Sequence, residues 1–156
     1  RPSRVMTDIY DVRITPLRRI PDERGAIMPM LRSDDSGFAQ FGEIYFSLVY
    51  PGVVKGWHLH HRMTLNYAVP VGMVKLVCWD DREDSPTRGA VQEIHLGELH
   101  YALVTIPPLV WNGFKGMSDP VAIVANCASH PHDPTRSERL DPVKNDIPYD
   151  WQVLNR

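Results

Sequence analysis

The sequence predicts an all-β protein, a sandwich or jelly-roll barrel of mainly antiparallel strands. Two observations carry that reading. Residues 43–50, 53–59, 64–71, 73–79, 91–96, 101–106 and 121–127 are short runs rich in β-branched and aromatic residues, the composition of strands on a pleated, half-buried surface. Turn-forming residues separate these runs, and no stretch sustains the 3.6-residue periodicity of a long amphipathic helix.

Taken in order, residues 8–41 mix short apolar pieces with two turn-like runs, Asp22-Glu23-Arg24-Gly25 and Ser33-Asp34-Asp35-Ser36-Gly37. The first seven residues are expected to be a frayed end. Runs 43–50 and 53–59 are joined at Pro51-Gly52, and runs 64–71 and 73–79 at Gly72, where glycine permits a tight turn. Pro70 cannot donate to a ladder, which places it at a sheet edge or a strand end. Ser85-Pro86-Thr87, Pro107-Pro108 and Asp119-Pro120 punctuate the remaining runs. Residues 130–156 are rich in Pro and Asp and are expected to wrap the barrel as an irregular tail, pinned by the burial of Ile147-Pro148-Tyr149-Asp150-Trp151. Residues 1–156 are expected to form one domain.

Lys and Arg (17) nearly balance Asp and Glu (19), and the two signs are interspersed. That pattern offers no footprint for nucleic acid or for a membrane surface. No apolar run is long enough to span a bilayer, and the opening residues lack the apolar core of a leader. Cys78 and Cys127 lie in apolar stretches and read as small buried hydrophobes in a reducing, cytoplasmic compartment. The cluster Asp80, Asp81, Glu83 and Asp84 reads as a solvated turn with Arg82 paired inside it. Trp57, Trp79, Trp111 and Trp151 read as core or interface, and His95 and His100 as surface residues.

The chemistry is concentrated in Gly56-Trp57-His58-Leu59-His60. Residues i and i+2 of a strand share a face, so His58 and His60 project together while His61 points away. Two imidazoles on a rigid element suit proton transfer near neutral pH or metal ligation.

Gly52, His58-Leu59-His60 and Gly72, followed by Ile106-Pro107-Pro108-Leu109-Val110-Trp111-Asn112, resemble the two halves of a cupin motif. A closer resemblance is to the dTDP-4-dehydrorhamnose 3,5-epimerase family. It is carried by Asp22-Glu23-Arg24-Gly25, Gly52-Val53-Val54-Lys55-Gly56-Trp57-His58, Asp80-Asp81-Arg82-Glu83-Asp84-Ser85-Pro86-Thr87-Arg88-Gly89, Ile106-Pro107-Pro108, Asn112-Gly113-Phe114, and Asp141-Pro142 with Ile147 and Trp151. The resemblance implies a homodimeric, metal-independent cupin barrel acting on a nucleotide-linked 4-keto-6-deoxy sugar. It implies exchange of N-terminal strands across the dimer, with residues 8–14 as an added edge strand. It assigns His58 as base, Asp141 as the carboxylate that orients it, and Arg24 and Lys55 to the nucleotide diphosphate or the sugar.

Departures accompany the match. Leu65, with Asn66 beside it, stands where the family carries a lysine. Ala128-Ser129-His130-Pro131-His132 stands where it carries a catalytic tyrosine, and His60 replaces a glutamine. A second resemblance, to the nucleotide-sugar 3,4-ketoisomerases, covers Gly56-Trp57-His58-Leu59-His60 through Gly72 and implies that Tyr45 is a catalytic partner of the histidine pair. Both chemistries remove a proton beside the C4 ketone and stabilise an enolate. They differ in where the proton returns.

The candidate catalytic residues are therefore His58, His60, Tyr45, Asp141 and His130. The candidate substrate-binding residues are Arg24, Lys55, Glu43, Asn66, Asn112 and His132. Asn66 and Asn112 are expected to donate toward the ketone, and His130 and His132 to stand in for the missing acid. No cofactor is expected. Metal-binding cupins place a glutamate and a later histidine where this chain has Leu65 and Asn112, so two imidazoles are left short of a ligand set. The expected function is epimerisation at C3, C5 or both. A ketoisomerase, a metal-dependent cupin on a non-sugar substrate and a non-catalytic sugar-binding cupin are the alternatives.

Overall fold

The computed structural model describes residues 5–153. Thirteen strands follow one another: β1 (Val5–Met6), β2 (Arg13–Pro16), β3 (Ile20–Asp22), β4 (Gly25–Ile27), β5 (Glu43–Val49), β6 (Val54–His60), β7 (Leu65–Val71), β8 (Met73–Trp79), β9 (Ala90–Gly97), β10 (Ala102–Ile106), β11 (Trp111–Gly116), β12 (Ala122–Ala128) and β13 (Ser137–Arg139). A 3-10 turn, Pro134–Arg136, precedes β13. Two sheets face each other, ordered β1-β9-β8-β11-β6-β13 and β2-β10-β7-β12-β5, with the β3-β4 hairpin apart from both. The expected antiparallel jelly roll is what the chain forms; among the described strands β1 alone pairs in parallel, with β9.

The main core lies between the sheets. Val49, Leu65, Tyr67, Val69, Val104, Ile106 and Val124 come from one sheet, and Val74, Leu76, Cys78, Ile94 and Phe114 from the other. The alternation in β5 is clear: Val49 is fully buried while Ile44, Phe46 and Leu48 are more than half exposed on the opposite face. A second apolar cluster lies outside the other sheet. There Ile147, Tyr149 and Trp151 of the tail cover Trp57, Leu59, Val77, Val91 and Trp111. The tail is thus pinned by the aromatics expected to pin it, with the Trp151 ring 5.1 Å from both Trp57 and Tyr149.

Several expectations change. The frayed start is not uniform: Val5–Met6 form β1, and residues 1–4 lie outside the described residues. The added edge strand falls on Arg13–Pro16, paired with β10 of the same chain, not on 8–14. Pro70 sits near the end of an interior strand, beyond the last β10 pair (Val104 with Tyr67) and beside a bulge opposite β12, so its missing donor costs no ladder bond to β10. Strand β11 was hidden in the sequence by Gly113 and Gly116. Gly113 is required because a Cβ there would lie 2.9 Å from Gly56 Cα, where β11 and β6 run unusually close. Asp80 is not solvated. It is fully buried and accepts from Arg82 Nε (2.9 Å), Ser85 Oγ (2.5 Å) and Thr87 Oγ1 (2.7 Å). Burial pushes its carboxyl up, but those donors win and hold it at about 2. Arg82 also donates to Tyr10 O, which ties the N-terminal segment to this turn.

Candidate active site

Between the sheets a cavity of about 360 Å³ opens to solvent. Its walls come from β5 (Glu43, Tyr45, Ser47), β6 (Lys55, His58, His60), β7 (Tyr67), β11 (Phe114), β13 (Ser137, Glu138, Arg139) and His132 of the connecting segment. Its volume lies within the range of small-ligand sites.

Strand register explains why these side chains meet. In one sheet Arg139, His58, Asn112 and Cys78 form a row across β13, β6, β11 and β8. In the other, Tyr45, Asn126 and Tyr67 form a row across β5, β12 and β7. Directly paired residues share a face, so the two rows look at each other across the barrel. Their link is the Tyr67 hydroxyl, which donates to Asn112 Oδ1 at 3.2 Å.

Lys55 joins the cavity through an irregularity. Asn112 pairs with His58 and Phe114 with Lys55, so two steps along β11 match three along β6. A regular strand would send Lys55 to the face opposite His58. Here Trp57 turns out into the tail cluster, fully buried, and Lys55 turns in. Lys55 Nζ donates to Ser47 Oγ (2.9 Å) and Leu48 O (2.7 Å), leaving it anchored at the wall of β5.

The electrostatics favour neutral imidazoles. Burial, then the charge of Arg139, holds His58 below the usual histidine value. His60 is pushed down to about 4 by burial first and then by His58, His132, Arg139 and His61. Burial, followed by the neighbouring Tyr45 phenol, raises Tyr67 well above the ordinary tyrosine value, so Tyr67 keeps its proton. Tyr45 Oη accepts from Asn126 Nδ2 at 3.1 Å, so its own hydrogen is not used in that bond. The arrangement offers proton acceptors from β6 and a phenol donor from the facing sheet.

Six of the residues singled out in the sequence meet here: His58, His60, Tyr45, Lys55, Glu43 and His132. Glu43 Oε1 accepts from the His132 backbone N–H at 3.0 Å, which fixes the segment carrying that ring. The other five lie elsewhere. Asp141 is exposed, and its carboxylate accepts from the backbone N–H groups of Val143 and Lys144, both at 2.8 Å, so it caps a turn and does not orient His58. His130 is held by Ser129 Oγ at 2.9 Å and lies near Gln40, away from the cavity wall. Asn66 is buried in the sheet, donating to Cys127 O and accepting from Thr105 Oγ1, and does not line the cavity. Asn112 is also buried and donates to His58 O and Val110 O, so it acts behind the wall. Arg24 pairs with Asp22 on the exposed β3-β4 hairpin and does not line the cavity. Among the described residues no group of three or more His, Cys, Asp or Glu is arranged to hold a metal ion.

Ser47, Tyr67, Phe114, Ser137, Glu138 and Arg139 were not singled out in the sequence. Alternation from Leu65 would have placed Tyr67 on the inner face. The β13 residues gave no signal, because a short polar strand within a Pro-rich tail has neither the length nor the composition of one.

The fold is a small cupin-type jelly roll, and the cavity lies inside its barrel. The chain belongs to the dTDP-4-dehydrorhamnose 3,5-epimerase family, whose profile matches residues 6–156. It is thereby an enzyme of the isomerase class, a nucleotide-sugar epimerase of that family's type. A crystal structure of a dTDP sugar isomerase from Desulfovibrio desulfuricans superposes with a TM-score of 0.89 at 45% identity, covering 92% of each chain. A probable low-salt glycan biosynthesis epimerase of Haloferax volcanii is 35% identical over 93% of this chain and 91% of its own. A spore coat polysaccharide biosynthesis protein of Bacillus subtilis is 28% identical over 94% of this chain and 93% of its own.

Proposed function

We propose that the protein epimerises C3, C5 or both of a nucleotide-diphospho-4-keto-6-deoxy sugar, with His58 as base and Tyr45 as acid. The observation that carries this reading is the confrontation of His58 on β6 with Tyr45 on β5, across one cavity and from opposite sheets. A hexose ring between them meets an imidazole on one face and a phenol on the other. His58 takes the proton from the carbon beside the ketone, and the C–H electrons move onto the C4 oxygen as an enolate. Tyr45 then delivers its hydroxyl proton to the same carbon from the opposite face. The imidazolium loses its proton to water at the open mouth, and the phenolate regains one there. A neutral imidazole is the form required, which agrees with the lowered His58 value. His60, Lys55, Glu43, His132 and Arg139 bind and orient the substrate. Lys55 and Arg139 are the cations available to the diphosphate or to the developing oxyanion.

The nucleotide sugar belongs to surface-polysaccharide or deoxysugar synthesis. A second copy of the chain covers the apolar face of β5, where Phe41, Ile44, Phe46 and Leu48 are exposed together. The N-terminal hairpin, with Arg24, is free to reach that copy. A 3,4-ketoisomerase is the second reading, favoured by the presence of Tyr45 beside the His58-Leu59-His60 pair.

Incubation with dTDP-4-keto-6-deoxyglucose in D₂O, followed by proton NMR, tests both. Deuterium at C3 or C5 with the ketone retained at C4 is the expected result. A ketone moved to C3 selects the second reading. Lack of exchange with the dTDP, CDP, GDP and UDP forms overturns both.

A further inference from the structure

Tyr67 is a fully buried titratable group on the cavity wall, and the proton-transfer scheme does not use it. Its place in the fold is distinctive. Asn126 is the register partner of Tyr45 on one side and of Tyr67 on the other, so the two phenols flank one asparagine on the inner face of one sheet. Asn126 Nδ2 donates to Tyr45 Oη. Tyr67 Oη, in turn, reaches across the barrel and donates to Asn112 Oδ1. Asn112 Nδ2 donates back to the carbonyl of His58. Two hydrogen-bonded runs, Tyr45 with Asn126 and Tyr67 with Asn112 and the His58 carbonyl, therefore come together where the two phenols flank Asn126, and Tyr67 is the member that crosses between sheets.

We propose that Tyr67 is a positioning residue for proton return. With its own hydrogen committed to Asn112, the Tyr67 oxygen is left to act toward Tyr45 only as an acceptor. On this proposal Tyr67 accepts the Tyr45 hydrogen and joins the two runs, so Tyr45 is held by Asn126 as donor and Tyr67 as acceptor, and its hydrogen is the one that leaves in turnover. In the resting site that hydrogen rests on Tyr67 oxygen. During turnover it leaves for the enolate carbon, the new C–H bond forms, and the Tyr45 phenolate stays aligned by Asn126. The raised value of Tyr67 agrees, since a phenol that stays protonated does not compete as the acid. The inference rests on the epimerase reading given above.

Tyr67→Phe tests it, because the substitution keeps the ring and removes the hydroxyl. The readout is the ratio of deuterium exchanged into recovered substrate to product formed in D₂O. Exchange needs His58 only, whereas inversion also needs Tyr45 in place. The expected result is near-wild-type binding of dTDP, retained exchange, and product formation lowered roughly 10-fold or more, a fraction of the ~10² to 10⁴ that a well-placed acid contributes. Equal losses in exchange and product, or no loss in either, overturn the proposal. Should the orphaned Asn112 amide prevent folding of Tyr67→Phe, the double variant Tyr67→Phe/Asn112→Leu removes both polar partners and is expected to show the same split. If that variant also fails to fold, Tyr67 is structural and the proposal falls. The wild-type control separates the two levels: a wild-type protein that exchanges no keto sugar rejects the epimerase reading itself.

Discussion

Removing the charge of Arg139 should move the acid limb of the rate profile upward. Arg139 stands opposite His58 in the β13-β6 ladder, and its charge is the second cause, after burial, of the lowered His58 value. Directly opposed residues hold their Cβ atoms about 5 Å apart, which puts the two charges on the order of 7 Å apart. Arg139 is exposed, so an effective dielectric between ~40 and ~80 applies, giving ~0.6–1.2 kcal/mol, or about 0.4–0.9 pH unit. Because a proton on His58 stops its action as a base, kcat/KM falls as pH drops through the His58 value. In Arg139→Gln that fall should begin about half a pH unit higher, by the same Coulomb argument. It should stay below the ordinary histidine range, since burial persists. High salt should move the wild-type limb the same way and the variant's far less. The assay is kcat/KM against pH at low and high ionic strength. A limb that stays put, or moves to lower pH, refutes the placement of Arg139 against the base.

Trp151→Ala should destabilise the fold by ~3–5 kcal/mol, the usual cost of truncating a buried aromatic, and lower Tm by roughly 6–20 °C for a chain of this size. An unchanged Tm by calorimetry would mean that the tail is not part of the cooperative unit. Burial and its positive neighbours place His60 at about 4 in the folded chain, below its unfolded value. The native state then binds fewer protons, so stability is full above about 6.5 and declines as pH falls toward 4. His60→Asn should flatten the urea midpoint across that window, and an unchanged slope would contradict the burial of that ring.

The fold was legible because its determinants are local. Alternating β-branched and aromatic runs set most of the strands within a residue or two, and Pro and Gly set the breaks. The strand that escaped, β11, violates composition for a tertiary reason: Gly113 must admit Gly56 of the neighbouring strand. In the candidate site, strand alternation alone placed His58 and His60 on one face, while Lys55 and Tyr45 were reached through the family resemblances. Lys55 shares their face through a bulge that period-two counting cannot anticipate. Arg139 and Ser137 enter from a tail whose pairing with β6 is wholly non-local. Asp141 shows the reverse failure. Its position in a familiar pattern suggested a catalytic carboxylate, and local backbone donors claim it for a turn cap.

The central claim is that His58 removes a proton from carbon next to the C4 ketone. His58→Asn keeps a polar side chain of similar size in the β6 row and deletes the base. Proton NMR in D₂O should show label entering C3 or C5 with the wild-type protein and none with the folded variant, while dTDP binding persists. Label entering at the wild-type rate without that imidazole would contradict the account.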